Sequence, residues 1–203
     1  MAEILGRARV VPVLEVARAD DAVPLARALA AGGLTVIEVT LRTAAALAAV
    51  AAILDRVPAC TVGVGSIRDG AMLRAARDSG AAFGVSPGTN PDLLDAACAT
   101  DWPFLPGAAT VSEVMALGAR GLTVQKLFPA ALLGGTAFLR AVAGPLPDVR
   151  FCPTGGITAE TAADFLALGN VLAVGGTWIA PRDLVARGDW DAITRRAAAA
   201  AAL

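Results

Sequence analysis

A desolvated lysine can shed its proton and become a nucleophilic amine, whereas an arginine in a protein stays charged. The seventeen basic residues of this chain are sixteen arginines and one lysine, Lys126. Lys126 lies in VQKLFPA, residues 124–130, between valine, leucine and phenylalanine. Read as a strand, this segment points Leu122, Val124, Lys126 and Phe128 to one side. A lone lysine near a strand end ordinarily snorkels to water. Here the apolar flanks and the otherwise abandoned residue type favour a buried amine able to form a Schiff base with a ketone. Desolvation and a neighbouring cation favour the neutral amine, and a neighbouring carboxylate opposes them.

The second candidate group is an acid in TVIEVTLRT, residues 35–43, where alternation puts Glu38, Thr40 and Arg42 on one side. Acids inside apolar runs are rare unless paired. Glu38 is therefore a candidate proton carrier, and a Glu38–Arg42 ion pair is the purely structural alternative. VGVGSIRD places Gly65 and Ser66 at another strand end, as a backbone donor and a hydroxyl. Capping of the next helix is the competing role for Ser66. Two diglycine segments, PTGGIT (153–158) and VGGTW (174–178), free backbone N–H groups to cradle an anion. No histidine or tyrosine occurs anywhere. That excludes Ser-His-Asp and Cys-His nucleophile systems and histidine-ligated metals. Acid–base work falls to carboxylates, Lys126, water or the substrate.

The elements that carry these residues alternate regularly. Strands are predicted at 10–16, 35–40, 60–65, 82–86, 104–107, 122–128, 150–155 and 171–176, separated by Ala/Arg/Leu segments with helical periodicity that end on glycine. Thr110 with Glu113 forms a capping box, and Asn90-Pro91 a cap followed by proline at the first helical position. Eight units of about 25 residues predict a closed (β/α)8 TIM barrel over 1–203, one domain with a short N-terminal helix. A doubly wound sheet is the alternative. In a barrel the site lies at the C-terminal strand ends, and the last two loops commonly hold phosphate. Those are the positions of the two diglycines.

The chain is 56% hydrophobic and 17% charged with net charge −1, which offers no basic surface for nucleic acid and ample material for a core. Its N-terminal segment lacks a signal-peptide pattern, and the longest uncharged stretch, 165–181, is broken by glycines and falls short of a membrane span. A cytoplasmic protein is expected. Cys60, Cys98 and Cys152 are far apart in apolar contexts and are expected to be reduced core thiols.

The segments VVPVL, AGGLTVIEVTLRT, VGVGS, VSPG, FLPGAAT, VQKLFPA, GPLPDVRFCPTGGIT and VGGTW resemble the class I aldolase family that cleaves 2-keto-3-deoxy-6-phosphogluconate (KDPG) and includes the 2-keto-4-hydroxyglutarate (KHG) aldolases. The resemblance runs nearly the whole chain. It implies a homotrimeric (β/α)8 barrel that needs no metal or other cofactor and acts on a small 2-keto acid phosphate. It assigns the Schiff base to Lys126 and water-relayed proton transfer to Glu38. Arg42 and Ser66 would hold the pyruvate carboxylate, with Ser66 where threonine is frequent. Pro87 and Phe128 would form site walls. Thr154 would contact the sugar hydroxyls and help choose the epimer, and Gly155, Gly156, Gly175, Gly176 and Thr177 would form the phosphate pocket. Two departures stand out. Ala131 replaces a carboxylate found in FPAE or FPGE relatives, and Glu15 adds a negative charge near the end of the first strand. The readings to be separated are KDPG cleavage, the same chemistry on 4-hydroxy-2-ketoglutarate or on the galactonate epimer, and a catalytically silent trimeric scaffold. A phosphosugar isomerase is disfavoured by the missing histidine.

Overall fold

A computed structural model describes residues 1–203. Its strands are β1 (Val10–Leu14), β2 (Val36–Thr40), β3 (Thr61–Gly65), β4 (Phe83–Val85), β5 (Phe104–Leu105), β6 (Gly107–Ala108), β7 (Val124–Leu127), β8 (Arg150–Phe151) and β9 (Val174–Gly176). Every paired strand is parallel, in a curled six-stranded sheet ordered β5-β4-β3-β2-β1-β9 and a three-stranded sheet ordered β6-β7-β8. Isolated parallel bridges join Phe151 to Val171 and Thr154 to Gly175. Except between β5 and β6, helices cross between consecutive strands, as parallel pairing requires.

The run 104–107, predicted as one strand, is split at Pro106. Proline has no N–H to give to a ladder. Beyond the break, the Gly107 N–H donates to the Ser86 hydroxyl at 3.2 Å, while the Pro106 carbonyl still accepts from the Lys126 N–H at 2.8 Å. The strands predicted at 150–155 and 171–176 are likewise shorter, as β8 and β9, because their sequences turn early at Pro153 and rise late after Asn170.

Two apolar clusters follow from strand alternation. The larger packs outward strand residues such as Ile37, Val62 and Val64 against the helices, among them α2 (Ala19–Ala31), α3 (Ala46–Arg56) and the C-terminal Trp190–Ala201 helix. The smaller gathers Val11, Val36, Phe83, Val85, Leu105, Cys152 and Ala173 with Leu5 and Ala8, so the predicted short helix, α1 (Ala2–Gly6), packs against inner strand residues. Gly63 leaves the space that the Phe83 ring fills, since a Cβ there would overlap it. Cys60 and Cys152 are buried as expected, but Cys98 is exposed near the end of its helix. No helix is long and apolar enough to cross a membrane.

The predicted caps are present. Asn90 accepts from the Leu93 N–H, and Thr110 and Glu113 form a reciprocal capping box on the Val111–Gly118 helix. Hydrogen bonds, first from the Ala109 N–H and then from Thr110, hold the Glu113 carboxyl below its ordinary range. A carboxylate depressed by folding stabilises fully above its unfolded value, about 4.3, and the gain is lost as pH falls through the folded value. Thr110→Ala is expected to cost about 1 kcal/mol at neutral pH. In urea titrations, Glu113→Gln should trail the parent at pH 6 and converge with it well below pH 4.

Candidate active site

β2 and β7 put the two decisive side chains face to face. Lys126 Nζ lies 3.5 Å from Glu38 Oε1, with the side chains only 6% and 5% exposed. Neither partner snorkels, and a carboxylate this close can take and return a proton of the amine. Glu38 fits because its carboxylate lies against Gly65 of β3, two residues beyond its register partner Gly63; a Cβ at Gly65 would overlap the carboxylate. Beside the backbone donor expected of it from sequence, Gly65 thus supplies space. Gly65→Ala should therefore displace Glu38 and lower kcat on the order of 10²-fold, the scale of a 1 Å misplacement. Steady-state kinetics beside an unchanged circular dichroism spectrum would check it.

The Glu38–Arg42 pair considered from sequence is absent. Arg42 instead donates from Nε to the Ser66 hydroxyl at 3.1 Å. Ser66 adopts φ of 64°, the only non-glycine residue in the left-handed region, a strained conformation of the kind found at functional sites. Ser66 does not cap the following helix; Asp69 does, accepting from the Met72 N–H at 2.8 Å.

A chamber of about 130 Å³ opens over the amine, walled by Val13, Arg42, Lys126, Phe128, Thr154, Gly155, Gly156, Ile157, Gly176 and Thr177. Eight residues selected from sequence thus meet in one small space. The Phe128 ring centroid is 5.4 Å from Lys126 Nζ, within reach of a cation–π contact. Gly155 and Gly156 have φ of 98° and 77°, which side-chain-bearing residues rarely adopt. Gly175 stands behind the wall, where a Cβ would overlap the Thr154 hydroxyl. Pro87 does not line this chamber; its backbone lies against Gly107. Val13 and Ile157 were missed. Val13 could have been found, because alternation along β1 gives it the same direction as Glu15.

Beneath the pair lies Cys152, another residue that sequence reading did not place at the site. Burial is the main cause that pushes its thiol up to about 12, with Lys126 opposing and Glu38 adding to the shift. A thiol that stays protonated is a poor nucleophile and leaves the amine without a competitor.

The family model for KDPG and KHG aldolase matches residues 1–196. A 2-dehydro-3-deoxy-phosphogluconate aldolase of Pseudomonas aeruginosa is 46% identical over 188 residues, which are 93% of this chain and 86% of the relative. Among solved structures, the KDPG aldolase of Legionella pneumophila, with pyruvate captured as a covalent carbinolamine intermediate, is similar with a TM-score of 0.96 and 38% identity, covering 98% of this chain and 97% of that one. The KDPG aldolase of Zymomonas mobilis with 3-phosphoglycerate has a TM-score of 0.94 and 42% identity, covering 98% and 94%. Since the family model spans nearly the whole chain and almost half its residues coincide with those of a curated relative, the chain belongs to the KDPG and KHG aldolase family.

Proposed function

We propose that this chain is a Schiff-base aldolase that cleaves 2-keto-3-deoxy-6-phosphogluconate reversibly to pyruvate and D-glyceraldehyde 3-phosphate. The observation that carries the proposal is Lys126, paired with buried Glu38, in the wall of a chamber that both diglycine loops also line. Neutral Lys126 attacks the C2 ketone, giving a carbinolamine that loses water to a protonated imine. The imine is the electron sink. Glu38, through a water, takes the C4 hydroxyl proton; the C3–C4 bond breaks and its electrons form the enamine. Glyceraldehyde 3-phosphate departs, the enamine is protonated at C3, and hydrolysis returns pyruvate and the amine. Arg42, braced by Ser66, orients the substrate carboxylate, and Thr154 meets the sugar hydroxyls. The N–H groups around Gly155, Gly156, Gly176 and Thr177 receive the phosphate, whose binding energy positions C2 against the amine.

The first test is borohydride with pyruvate. Reduction of the imine should leave a mass adduct on the peptide containing Lys126; an unmodified peptide would favour a silent scaffold. The family description also names KHG aldolase. Rates with 4-hydroxy-2-ketoglutarate and with the galactonate epimer separate those substrates, and the two diglycine loops in the chamber wall favour the phosphorylated gluconate.

For the whole molecule, we read residues 1–203 as one closed (β/α)8 domain. Support comes from the pairing of first and last strands, the bridges from 151 and 154 to 171 and 175, and the passage from β5 to β6 through one proline. A homotrimer is the assembly expected of it. The exposed apolar side chains of Val111, Met115 and Leu132 are surfaces such an assembly can cover. Light scattering in solution tests the number of subunits.

A further inference from the structure

A second cavity, of about 540 Å³, shares Val13, Arg42 and Thr177 with the Lys126 chamber and adjoins it. Four charged residues line it: Glu15, Arg42, Arg182 and Asp183. Asp183 is bound by Arg187 at 3.0 Å, and Arg42 is held by Ser66. That leaves Glu15 and Arg182, which bind each other at 2.5 Å across 167 positions of sequence. The pair is asymmetric. Glu15 is 24% exposed, at the end of β1 and in phase with inward Val11 and Val13, whereas Arg182 is 76% exposed at the rim.

The inner chamber has only two cations in its wall, Lys126 and Arg42. In the proposed reaction the first is consumed as the imine nucleophile and the second faces the carboxylate. The backbone cradle is uncharged, so the substrate's phosphate dianion has no side-chain cation there. Arg182 is the remaining arginine of the adjoining cavity not held by Ser66, and its guanidinium suits bidentate binding of phosphate. Glu15, if left without a partner, would repel the same dianion.

Building on the aldolase reading, we infer that Glu15 and Arg182 form an exchangeable ion pair that sets affinity for the phosphate end of the substrate. In the free protein, Arg182 neutralises Glu15. On binding, the guanidinium shifts part of its hydrogen bonding to the phosphate while still screening the carboxylate. Both are positioning and specificity residues, remote from the bonds that change.

The test is steady-state kinetics of the parent, Glu15→Gln, Arg182→Gln and the double variant, on 2-keto-3-deoxy-6-phosphogluconate and on the same sugar acid without phosphate. Arg182→Gln should raise KM for the phosphorylated substrate about tenfold, the lower range for a charged hydrogen bond at an open site. Glu15→Gln should lower that KM about threefold by releasing Arg182, with the double variant between the two single ones. The kcat values and the KM of the unphosphorylated sugar acid should stay within about twofold of the parent. Equal shifts on both substrates, no shift in Arg182→Gln, or a rise in KM for Glu15→Gln would each overturn the inference. Borohydride trapping with pyruvate, which lacks the phosphate end, separates the two levels. Failure of the parent to trap defeats the aldolase reading itself, whereas normal trapping with unmoved KM values defeats only the role of the ion pair.

Discussion

Lys126→Arg is expected to abolish cleavage, lowering kcat/KM on the order of 10⁴-fold or more, as loss of a covalent nucleophile does in other enzymes. The substitution keeps a cation opposite Glu38, so the buried carboxylate retains a partner and the chamber its charge. What it removes is an amine that can become a neutral imine former; guanidinium cannot. Pyruvate release, followed continuously, would report the rate, and thermal unfolding would show that the fold persists. Because Lys126 is the only lysine, borohydride trapping on this variant also has a clean control. The sole other primary amine is the chain terminus, and peptide mapping distinguishes them. Cleavage by Lys126→Arg at near the parent rate would remove the Schiff base from the mechanism. Cys152 offers no covalent substitute, since burial keeps its thiol protonated.

Such a prediction could be framed from sequence because the relevant signals are local. A single lysine in an apolar run and an acid between Ile37 and Val39 are visible without coordinates. Alternation then assigns both to the inner face. The diglycines were legible for a similar reason, since they punctuate strand ends where backbone donors become free. Pairing across the fold was not. Glu38 has two basic side chains within reach of its strand direction, and sequence offers no distance to choose between Arg42 and Lys126. The structure seats the carboxylate against Gly65, whose missing Cβ leaves it room, with Lys126 as its partner. The same limit hid the contact between Glu15 and Arg182, which only the adjacency of β1 and β9 brings together. The break at Pro106 was written in the sequence as proline, but its repair by Ser86 depends on the neighbouring strand. Ser66 needed its backbone angle before its hydroxyl could be assigned to Arg42 rather than to a helix cap.

Glu38 separates the steps of the mechanism from one another. Glu38→Gln keeps the shape and a hydrogen-bonding group next to Lys126 but removes the proton acceptor. The expected loss in kcat is on the order of 10³-fold, within the range for removal of a general acid–base group. The loss should not be uniform along the reaction. Imine formation with pyruvate depends first on the amine, so an adduct should still accumulate after borohydride, more slowly. Exchange of the pyruvate methyl protons with deuterated water requires a base at C3 and should fall with cleavage. A variant that traps pyruvate but neither exchanges nor cleaves would assign Glu38 to proton transfer after the imine. A variant that exchanges normally would move that role to another group. Glu38→Ala adds a stability readout. With both side chains about 95% buried, removal of one partner leaves Lys126 facing an empty, poorly solvated space. A cost of about 3 kcal/mol in urea unfolding is expected, the lower end for breaking a buried ion pair. Glu38→Gln should cost less than Glu38→Ala, because the amide still fills the seat left by Gly65 and can accept a hydrogen bond from the amine. Equal stability of the two variants, with both inactive, would tie Glu38 to chemistry alone. The expected inequality makes its carboxylate at once the proton carrier and the support that holds the nucleophile in place.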